Sequence, residues 1–375
     1  MDIIAFYLPQ FYAFPENDKW WGKGFTEWTN VRKSKPLFKN HYQPTIPLNK
    51  NYYCLEDISV MKWQVELAKE YGVTGFCFYH YWFGKSRVLM EKPIENYRSH
   101  SEIDFPYCLC WANHNWSRTW VGGDKDILMD MYYGSEEEWE KHFNYLMTFF
   151  KDSRYIKIDD KPVLVIYQPH SIDCFKEMID YFQVRAKEEG LKGITVVSQL
   201  MFEKVSSDVE DRVDYKIRYE PNHSLHRVYN NLFETAKHSP ALFLNICNYR
   251  FRGLIKKITN GKICNCRYYN YNLFWEYILR LPINDKKCIV GGFVNFDATP
   301  RRHDRALIFR GATPERFGGY MKRLVEKTRR FSNKQIIFLS AWNEWGEGMY
   351  LEPDEKNQYG FLEGVKEAQC EFENM

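Results

Sequence analysis

The segment from Asn343 to Gly348 carries two glutamates three residues apart, Glu344 and Glu347, directly after an apolar run. Cleavage of a glycosidic bond needs one protonated carboxyl that donates to the leaving oxygen and one ionised carboxyl that acts as base or nucleophile. Two like charges held close together between Trp342 and Trp345, in a low local dielectric, push their pKa values apart. The segment therefore predicts a catalytic carboxylate pair.

A structural interpretation of the same glutamates is also open. Acidic side chains in the first turn of a helix offset the helix macrodipole. A helix start alone does not require the flanking Trp and Asn residues, so we favour the catalytic interpretation. Two further residues keep alternatives: His114 suits a proton carrier or a structural histidine, and Asp297 suits a sugar contact or an ion pair with Arg301 or Arg302.

Polar and aromatic side chains follow most of the other apolar runs of the chain. Aromatic faces pack against the C–H side of a pyranose, and amide, imidazole and guanidinium groups bond its hydroxyls. Core packing is the alternative for each single aromatic residue, but their clustering favours ligand binding. The candidate substrate-binding residues are Tyr7, Tyr79, Tyr81, Trp82, Trp111, Asn113, His114, Asn115, Trp116, Arg118, Tyr167, Gln168, Tyr219, Asn295, Asp297, Trp342, Asn343 and Trp345.

Eight short apolar runs alternate with amphipathic stretches, which is typical of a parallel sheet covered by helices. The runs predict strands at Ile3–Tyr7, Gly75–Tyr81, Tyr107–Trp111, Val163–Tyr167, Thr195–Ser198, Tyr215–Tyr219, Ile289–Asn295 and Ile336–Ala341. The clearest helical stretches are Asp57–Tyr71, Glu136–Phe150, Cys174–Glu189, Phe274–Arg280, Pro314–Phe331 and Phe361 to about Phe372. The pattern predicts an α/β fold, a (β/α)8 TIM barrel with long active-site loops, whose chemistry lies at the carboxyl ends of the strands.

One domain over residues 1–375 is expected, because the chain shows no internal repeat and no Pro/Gly/Ser-rich linker. The Trp-rich stretch Phe11–Asn51 is long for a loop inside a compact domain, and such loops are typically functional. A segment at about 240–270 is an insert without a predicted place. The alternative architecture, an open doubly wound sheet, requires a Gly-rich phosphate turn that the sequence lacks.

Composition excludes several classes of function. The 375 residues include 52 basic and 49 acidic side chains, interspersed, so a nucleic-acid partner is not expected. No apolar stretch reaches the roughly 18 residues of a membrane span, and no secretory signal is apparent, so a cytoplasmic location is expected. The ten cysteines are scattered and suit a reducing compartment. The pair Cys264 and Cys266 lacks the spacing of a zinc site, and no metal or other cofactor is expected.

Seven ordered motifs resemble one protein family. They are IAFYLPQFY, WWGKGFTEWTNV, HYQPTIPLN, CWANHNWSRTW, KPVLVIYQP, FDATPRR and AWNEWGEGMYLEPD, spread from about residue 2 to 365. Together they resemble the WbsX-like proteins of bacterial polysaccharide clusters, which are related to glycoside hydrolase family 99, the endo-α-mannosidases. His114 is a departure, because WbsX-like relatives usually carry Glu there.

The resemblance implies a (β/α)8 barrel whose E-W-x-E motif, here Glu344 to Glu347, carries catalysis. By analogy with the hydrolases, Glu344 is the base that acts on the sugar's own 2-hydroxyl and gives an anhydro-sugar intermediate. Glu347 is the general acid and then the general base, with net retention. The expected partner is an oligosaccharide or polysaccharide, and the expected role lies in lipopolysaccharide or capsule metabolism.

Three functions follow from these observations. The first is a retaining glycoside hydrolase or transglycosylase that acts on internal, mannoside-like α-linkages of a surface polysaccharide or its precursor. The second is a glycosyltransferase of O-antigen or capsule biosynthesis, which would need a site for a diphosphate. The third is a non-catalytic glycan-binding protein, which predicts lost carboxylates. The sequence favours the first, because both glutamates are present.

Overall fold

The computed structural model describes residues 1–85, 87–117, 127–201, 207–247 and 266–373. The predicted sugar contact Arg118 and residues 248–265 of the 240–270 segment lie outside the described residues. None of the helices described has both the length and the apolar character that crossing a membrane requires.

Eight parallel strands form the centre of the fold, and each predicted apolar run supplies one of them. They are β1 (Asp2–Tyr7), β2 (Gly75–Gly84), β3 (Tyr107–Trp111), β4 (Lys161–Ile166), β5 (Thr195–Leu200), β6 (Tyr215–Arg218), β7 (Cys288–Phe293) and β8 (Ile336–Ser340). Each strand pairs with the next along the chain, and β8 pairs with β1, which closes the sheet. The predicted (β/α)8 barrel is confirmed.

Helices lie between the strands, and all six predicted helical stretches are present with ends shifted by no more than a few residues. The helices with both ends described are α1 (Pro15–Trp21), α2 (Glu27–Lys33), α3 (Ile58–Glu70), α4 (Glu91–Ser99), α5 (Glu136–Phe150), α6 (Phe175–Glu188), α7 (Ser207–Glu210), α8 (Asn222–Asn230), α9 (Leu232–His238), α10 (Tyr271–Arg280), α11 (Thr299–Arg302), α12 (Pro314–Phe331) and α13 (Gly360–Glu373). Residues 240–247 are helical as well. The long stretch after β1 therefore contains α1 and α2.

Short strands and single helical turns complete the connections. Two-stranded pairs join Trp116–Ser117 to Ile127–Met129, Arg267–Asn270 to Leu307–Arg310, and Asn343–Glu344 to Met349–Tyr350. Arg87–Leu89 and Lys157–Ile158 pair with β2 and β4. Helical turns of the 3-10 type lie at Leu48–Lys50, Pro169–Ser171, His303–Arg305 and Trp345–Glu347.

Alternation of side chains along a strand decides which residues face the barrel interior. In β2, Tyr79 points inward, and its hydroxyl lies 3.3 Å from the hydroxyl of Tyr219, which follows β6. Trp82 points outward, and its ring stacks on His142 of α5 with centroids 4.8 Å apart. A residue at a strand end is thus part of the barrel mouth or of the layer between strands and helices, according to its position in this alternation.

Candidate active site

A buried arginine joins three carboxylates above the carboxyl ends of β7 and β8. The guanidinium of Arg301 donates from Nε to Glu27 Oε1 at 2.7 Å, from Nη2 to Glu344 Oε2 at 2.9 Å, and from Nη1 to Glu347 Oε1 at 2.7 Å. The side chains of Arg301, Glu27 and Glu344 are almost fully buried, whereas Glu347 keeps 26% of its side chain exposed. The predicted pair of glutamates therefore converges on one charged group.

Three separate connections supply these side chains. Glu27 begins α2 in the connection after β1, Arg301 lies in α11 after β7, and the two catalytic candidates follow β8. Glu347 lies in a 3-10 turn that ends at Gly348, whose φ of 62° is the left-handed conformation that glycine adopts without strain. The turn presents Glu347 on the same side as Glu344.

Gly346 makes the close approach of these connections feasible. A methyl group at its Cα would lie 1.5 Å from Glu27 Oε1 and 2.8 Å from Arg301 Nε. Any side chain at this position would thus collide with the ion pair between Glu27 and Arg301. The glycine between the two glutamates is required by packing at this point, which sequence spacing alone did not show.

The electrostatics of the cluster favour a proton on one of its carboxylates. Burial raises the pKa of Glu344 to about 8; Arg301 opposes the shift, and the charges of Glu347 and Glu27 add to it. Burial disfavours the charge of Arg301, but the three carboxylates together raise its pKa well above the usual range. At neutral pH the guanidinium is therefore charged and Glu344 is mostly protonated, which makes it a strong base once it has lost its proton.

Four tyrosines predicted to bind substrate surround this cluster on the inner side of the barrel. Burial, and after it the charge of Glu347, raises the pKa of Tyr167 and Tyr219. Tyr79 and Tyr81 are buried on the same side, and the charge of Glu344 contributes to raising the pKa of both. The structure brings these four predicted residues together with the two glutamates.

Four other predicted sugar contacts lie in the layer outside the barrel wall, so the prediction is wrong for them. Tyr7 donates to Gln64 of α3 at 2.6 Å. Trp111 donates to the carbonyl of Trp82 at 2.9 Å, and both rings pack on α5. Trp342 is fully buried, with its ring 5.0 Å from that of Phe76. Tyr7, Trp82 and Trp111 lie there because they have the outward parity of their strands, whereas Trp342 follows the end of β8 and packs on Phe76, which has the same parity in β2 as Trp82.

Three further candidates brace the loops, which also corrects the prediction for them, and the backbone of a fourth, Gln168, takes part in one of these contacts. Asn113 accepts from Gln168 N at 2.7 Å and donates to Gln168 O at 2.8 Å, which ties the end of β3 to the end of β4. Asn343 makes the same pair of bonds with Leu8, at 2.7 and 3.0 Å, and ties β8 to β1. Trp345 is 1% exposed and stacks on Tyr350 with centroids 3.8 Å apart.

Asp297 has neither of its two predicted roles. Its Oδ2 accepts from His41 Nε2 at 2.7 Å and from Gln43 at 2.9 Å, and its Oδ1 accepts from the backbone and side chain of Thr299 at 2.9 and 2.5 Å. Arg301, its predicted partner, binds the glutamates instead. Four donors therefore hold a carboxylate that the sequence assigned to a sugar or to an arginine.

The remaining candidates lie at the rim of the barrel mouth. His114 is buried against Tyr167, with ring centroids 5.2 Å apart, and burial lowers its pKa to about 4, so it is neutral at physiological pH. Trp116 packs on Tyr81 and lines a narrow pocket that also contains Glu27 and Arg301. Two more candidates, Asn115 and Asn295, have other neighbours: the former accepts from Met131 N, and the latter lines a separate cavity.

Glu352 is a buried acid that the sequence analysis missed. Its Oε2 accepts from Trp345 Nε1 at 2.6 Å and from the hydroxyl of Tyr53 at 2.8 Å, and its Oε1 accepts from Gln64 at 2.6 Å. Burial raises its pKa to about 7, although these donors oppose the shift. Glu27 was missed as well, and the signal available for both was an acid inside a long motif rich in aromatic residues.

The described residues contain no group of three or more His, Cys, Asp or Glu side chains arranged to hold a metal ion. A sequence model of the family described as glycosyltransferase WbsX matches residues 3–365. The protein WxcX of Xanthomonas campestris pv. campestris is 32% identical over 375 residues, which is 98% of this chain and 49% of that protein. The chain thus spans about half the length of the curated relatives it matches.

Two solved structures share the fold. The GH99 endo-α-mannosidase from Bacteroides thetaiotaomicron superposes with a TM-score of 0.55 at 13% identity, covering 99% of this chain and 97% of that chain. A structure described as a glycoside hydrolase-like protein gives 0.56 at 12% identity, covering 98% and 93%. At this level of identity the likeness concerns the fold alone.

Proposed function

This chain belongs to the glycosyltransferase WbsX family, and from that membership we propose that it is a carbohydrate-active enzyme that cleaves glycosidic bonds with retention. The proposed substrate is a bacterial surface polysaccharide or its precursor, cut at internal, mannoside-like α-linkages. The products arise by hydrolysis or by transfer to another sugar. A cytoplasmic location stays a prediction from sequence.

One observation carries the proposal: Glu344 and Glu347 bind the same buried guanidinium but differ in environment. Glu344 is buried with a pKa near 8, whereas Glu347 is partly exposed towards the barrel mouth. A pair of acids in unlike environments is what acid and base roles at one glycosidic bond require. Neither an inert core ion pair nor a simple binding site needs this asymmetry.

In the proposed reaction Glu344 moves a proton at the sugar 2-oxygen, and Glu347 moves one at the glycosidic oxygen. Glu344, once ionised, removes the proton of the sugar 2-hydroxyl while that oxygen attacks the anomeric carbon and forms an anhydro ring. Glu347 gives its proton to the leaving glycosidic oxygen as the bond breaks. In the second step Glu347 removes a proton from water or from an acceptor hydroxyl, and that oxygen attacks the anomeric carbon. The bond between the anomeric carbon and the 2-oxygen breaks, which opens the anhydro ring, and Glu344 returns a proton to the 2-oxygen.

Arg301 has a positioning role in this scheme. Its bonds to Glu344 and Glu347 hold both acids in place, and its charge offsets the negative charge that would otherwise keep Glu344 protonated at a higher pH. Substrate binding would use Tyr79, Tyr81, Tyr167 and Tyr219, whose buried side chains lie within electrostatic range of the acids. These tyrosines match a ligand with apolar ring faces and hydroxyl groups.

The test is turnover of a panel of end-labelled α-manno-oligosaccharides by Glu344→Gln and Glu347→Gln. We expect each variant to lose at least about a thousandfold in kcat, in the range of other groups that act in the transition state. Glu363→Gln, at an exposed position of α13, is the matched control and should keep full turnover. Circular dichroism checks that the variants fold, and near-normal turnover by either active-site variant would refute the assignment.

The description of the family favours a second candidate, sugar transfer from an activated donor. Calorimetry with a panel of nucleotide sugars separates the two functions. Submicromolar binding of a nucleoside diphosphate would favour the transferase. Release of labelled sugar from an oligosaccharide without any nucleotide would favour the hydrolase or transglycosylase.

A further inference from the structure

A second cavity, of about 380 Å³, lies beside the glutamate cluster. It is formed by residues 38–43 and 45 of the connection after β1, by Asn295 and Asp297 after β7, by residues 308–312, and by residues after β8 that include Gly348 and Lys356. We call it the lateral cavity. Its wall is joined directly to the catalytic segment, because Asp297 N donates to Glu347 O at 2.6 Å.

Three cationic side chains line the lateral cavity without a salt bridge to any carboxylate of the described residues. They are Lys39, Arg310 and Lys356. Arg310 lies over the ring of Phe38, 4.6 Å from its centroid, and Lys356 lies 5.1 Å from the centroid of Tyr42. Aromatic contacts orient a cation but leave its charge available for an anionic ligand.

The carboxylate that lines the lateral cavity, Asp297, forms no ion pair with these three cations. Asp297 has both oxygens engaged by His41, Gln43 and Thr299. His41 accepts from Leu37 N at its Nδ1, so Nε2 carries the proton and the ring is a neutral donor to Asp297. With three cations and one anion, the formal charge of the lateral cavity is positive.

Two amide oxygens at the lateral cavity have no hydrogen-bond partner within the described structure. Gln43 donates its amide N–H to Asp297, but its Oε1 has no donor, although the residue is only 6% exposed. The Oδ1 atom of Asn295 is also buried and unpartnered, although the residue as a whole is half-buried. A buried acceptor without a donor is costly, and a ligand hydroxyl would satisfy it.

We infer that the lateral cavity is a subsite for a sugar unit that carries an anionic group. Amide oxygens of Gln43 and Asn295 accept from its hydroxyls, and Arg310 and Lys356 bind its negative charge. A uronic acid and a sugar phosphate share this chemistry. The inference rests on the proposed carbohydrate substrate and adds a specificity: an acidic unit next to the bond that is cleaved.

The test is a ligand-observed NMR titration of the full chain with glucuronate, glucose 1-phosphate, glucose and inorganic phosphate. We expect at least one of the two anionic sugars to bind about tenfold more tightly than glucose, as a charge-assisted bond predicts. Preference for glucuronate alone identifies a uronic acid, and preference for glucose 1-phosphate alone identifies a sugar phosphate. Equal affinity for glucose overturns the inference, and so does inorganic phosphate that binds as tightly as the preferred anionic sugar.

Variants locate the binding. Lys356→Gln and Arg310→Gln should each remove most of the preference for the anionic sugar, whereas Lys286→Gln, an exposed lysine outside the lateral cavity, should leave it unchanged. Asn295→Ala should weaken the binding of both neutral and anionic sugars. Unchanged affinities in all three cavity variants would overturn the inference. Because binding is read without turnover, loss of this subsite and failure of the catalytic assignment at Glu347 give different results.

Discussion

Two buried carboxylates on opposite sides of Trp345 meet very different partners. Glu344 shares one guanidinium with Glu27 and Glu347, whereas Glu352 accepts only from neutral donors of Trp345, Tyr53 and Gln64. Burial raises the pKa of both acids, to about 8 and about 7.

The difference teaches that a raised pKa alone does not identify a catalytic acid. The donors of Glu352 are Tyr53, Gln64 of α3 and Trp345 itself, so this carboxylate fixes the position of the Trp345 ring. Glu344 has a partner shared with a second, partly exposed acid, and the proposed proton transfers need such a pair. A charged partner that is shared with a second acid therefore distinguishes Glu344, in the candidate active site, from Glu352, which stabilises the structure beside it.

The largest expected effect comes from removing the shared partner. Arg301→Met leaves Glu27 and Glu344 buried without a cation, and loss of one partner of a buried ion pair costs about 3–5 kcal/mol of unfolding free energy. Urea denaturation monitored by fluorescence measures this loss. Arg302→Met, at the exposed neighbouring position, should change stability by less than about 0.5 kcal/mol. Equal effects of the two variants would show that the cluster contributes nothing to the fold.

A smaller effect on stability is expected at Glu352, whose hydrogen-bond donors are all neutral. Glu352→Gln keeps the shape of the side chain but places an amide N–H₂ opposite one of three hydrogen-bond donors. This lowers the free energy of unfolding by about 1–3 kcal/mol. In the wild type, the contribution of Glu352 to the free energy of unfolding is fully present below the unfolded pKa of about 4.3. It is lost as pH rises through the folded pKa of about 7. The variant should therefore flatten stability against pH in this window. A kcat loss like that of Glu344→Gln would contradict a purely supporting role.

The smallest effect concerns the pH dependence of activity. If Glu344 is the base, kcat/KM should rise about tenfold per pH unit below its pKa of about 8. A pH–rate profile of the wild type tests this, and Glu352→Gln should keep the same rising limb. Absence of a rising limb below pH 8 would instead make Glu344 the proton donor and exchange the two roles.

Most of the fold could be predicted from sequence, because buried parallel strands are continuous apolar runs that differ sharply from the charged helices between them. All eight strands and the closed barrel follow from this contrast. Individual strand ends were less certain: β2 continues to Gly84, beyond the predicted end at Tyr81, because it also pairs with Arg87–Leu89.

The site was predicted only in part, and the physical reason is side-chain parity. Tyr81 and Trp82 are adjacent and similar in type, yet one faces the acids and the other packs on α5. A run of consecutive apolar residues carries no alternation that would separate them. Glu27 and Arg301 were missed as partners for another reason: they come together only because connections distant in sequence fold over the same end of the barrel.

Gly346 has a consequence for engineering. In many barrels of this class each loop is exchanged independently of the others, and new specificities are built by grafting one loop at a time. Here a side chain at Gly346 would overlap Glu27, so the segments that contain these two residues fit only each other. A graft that replaces either segment alone would lose the active-site geometry, and a chimera must take both from the same parent.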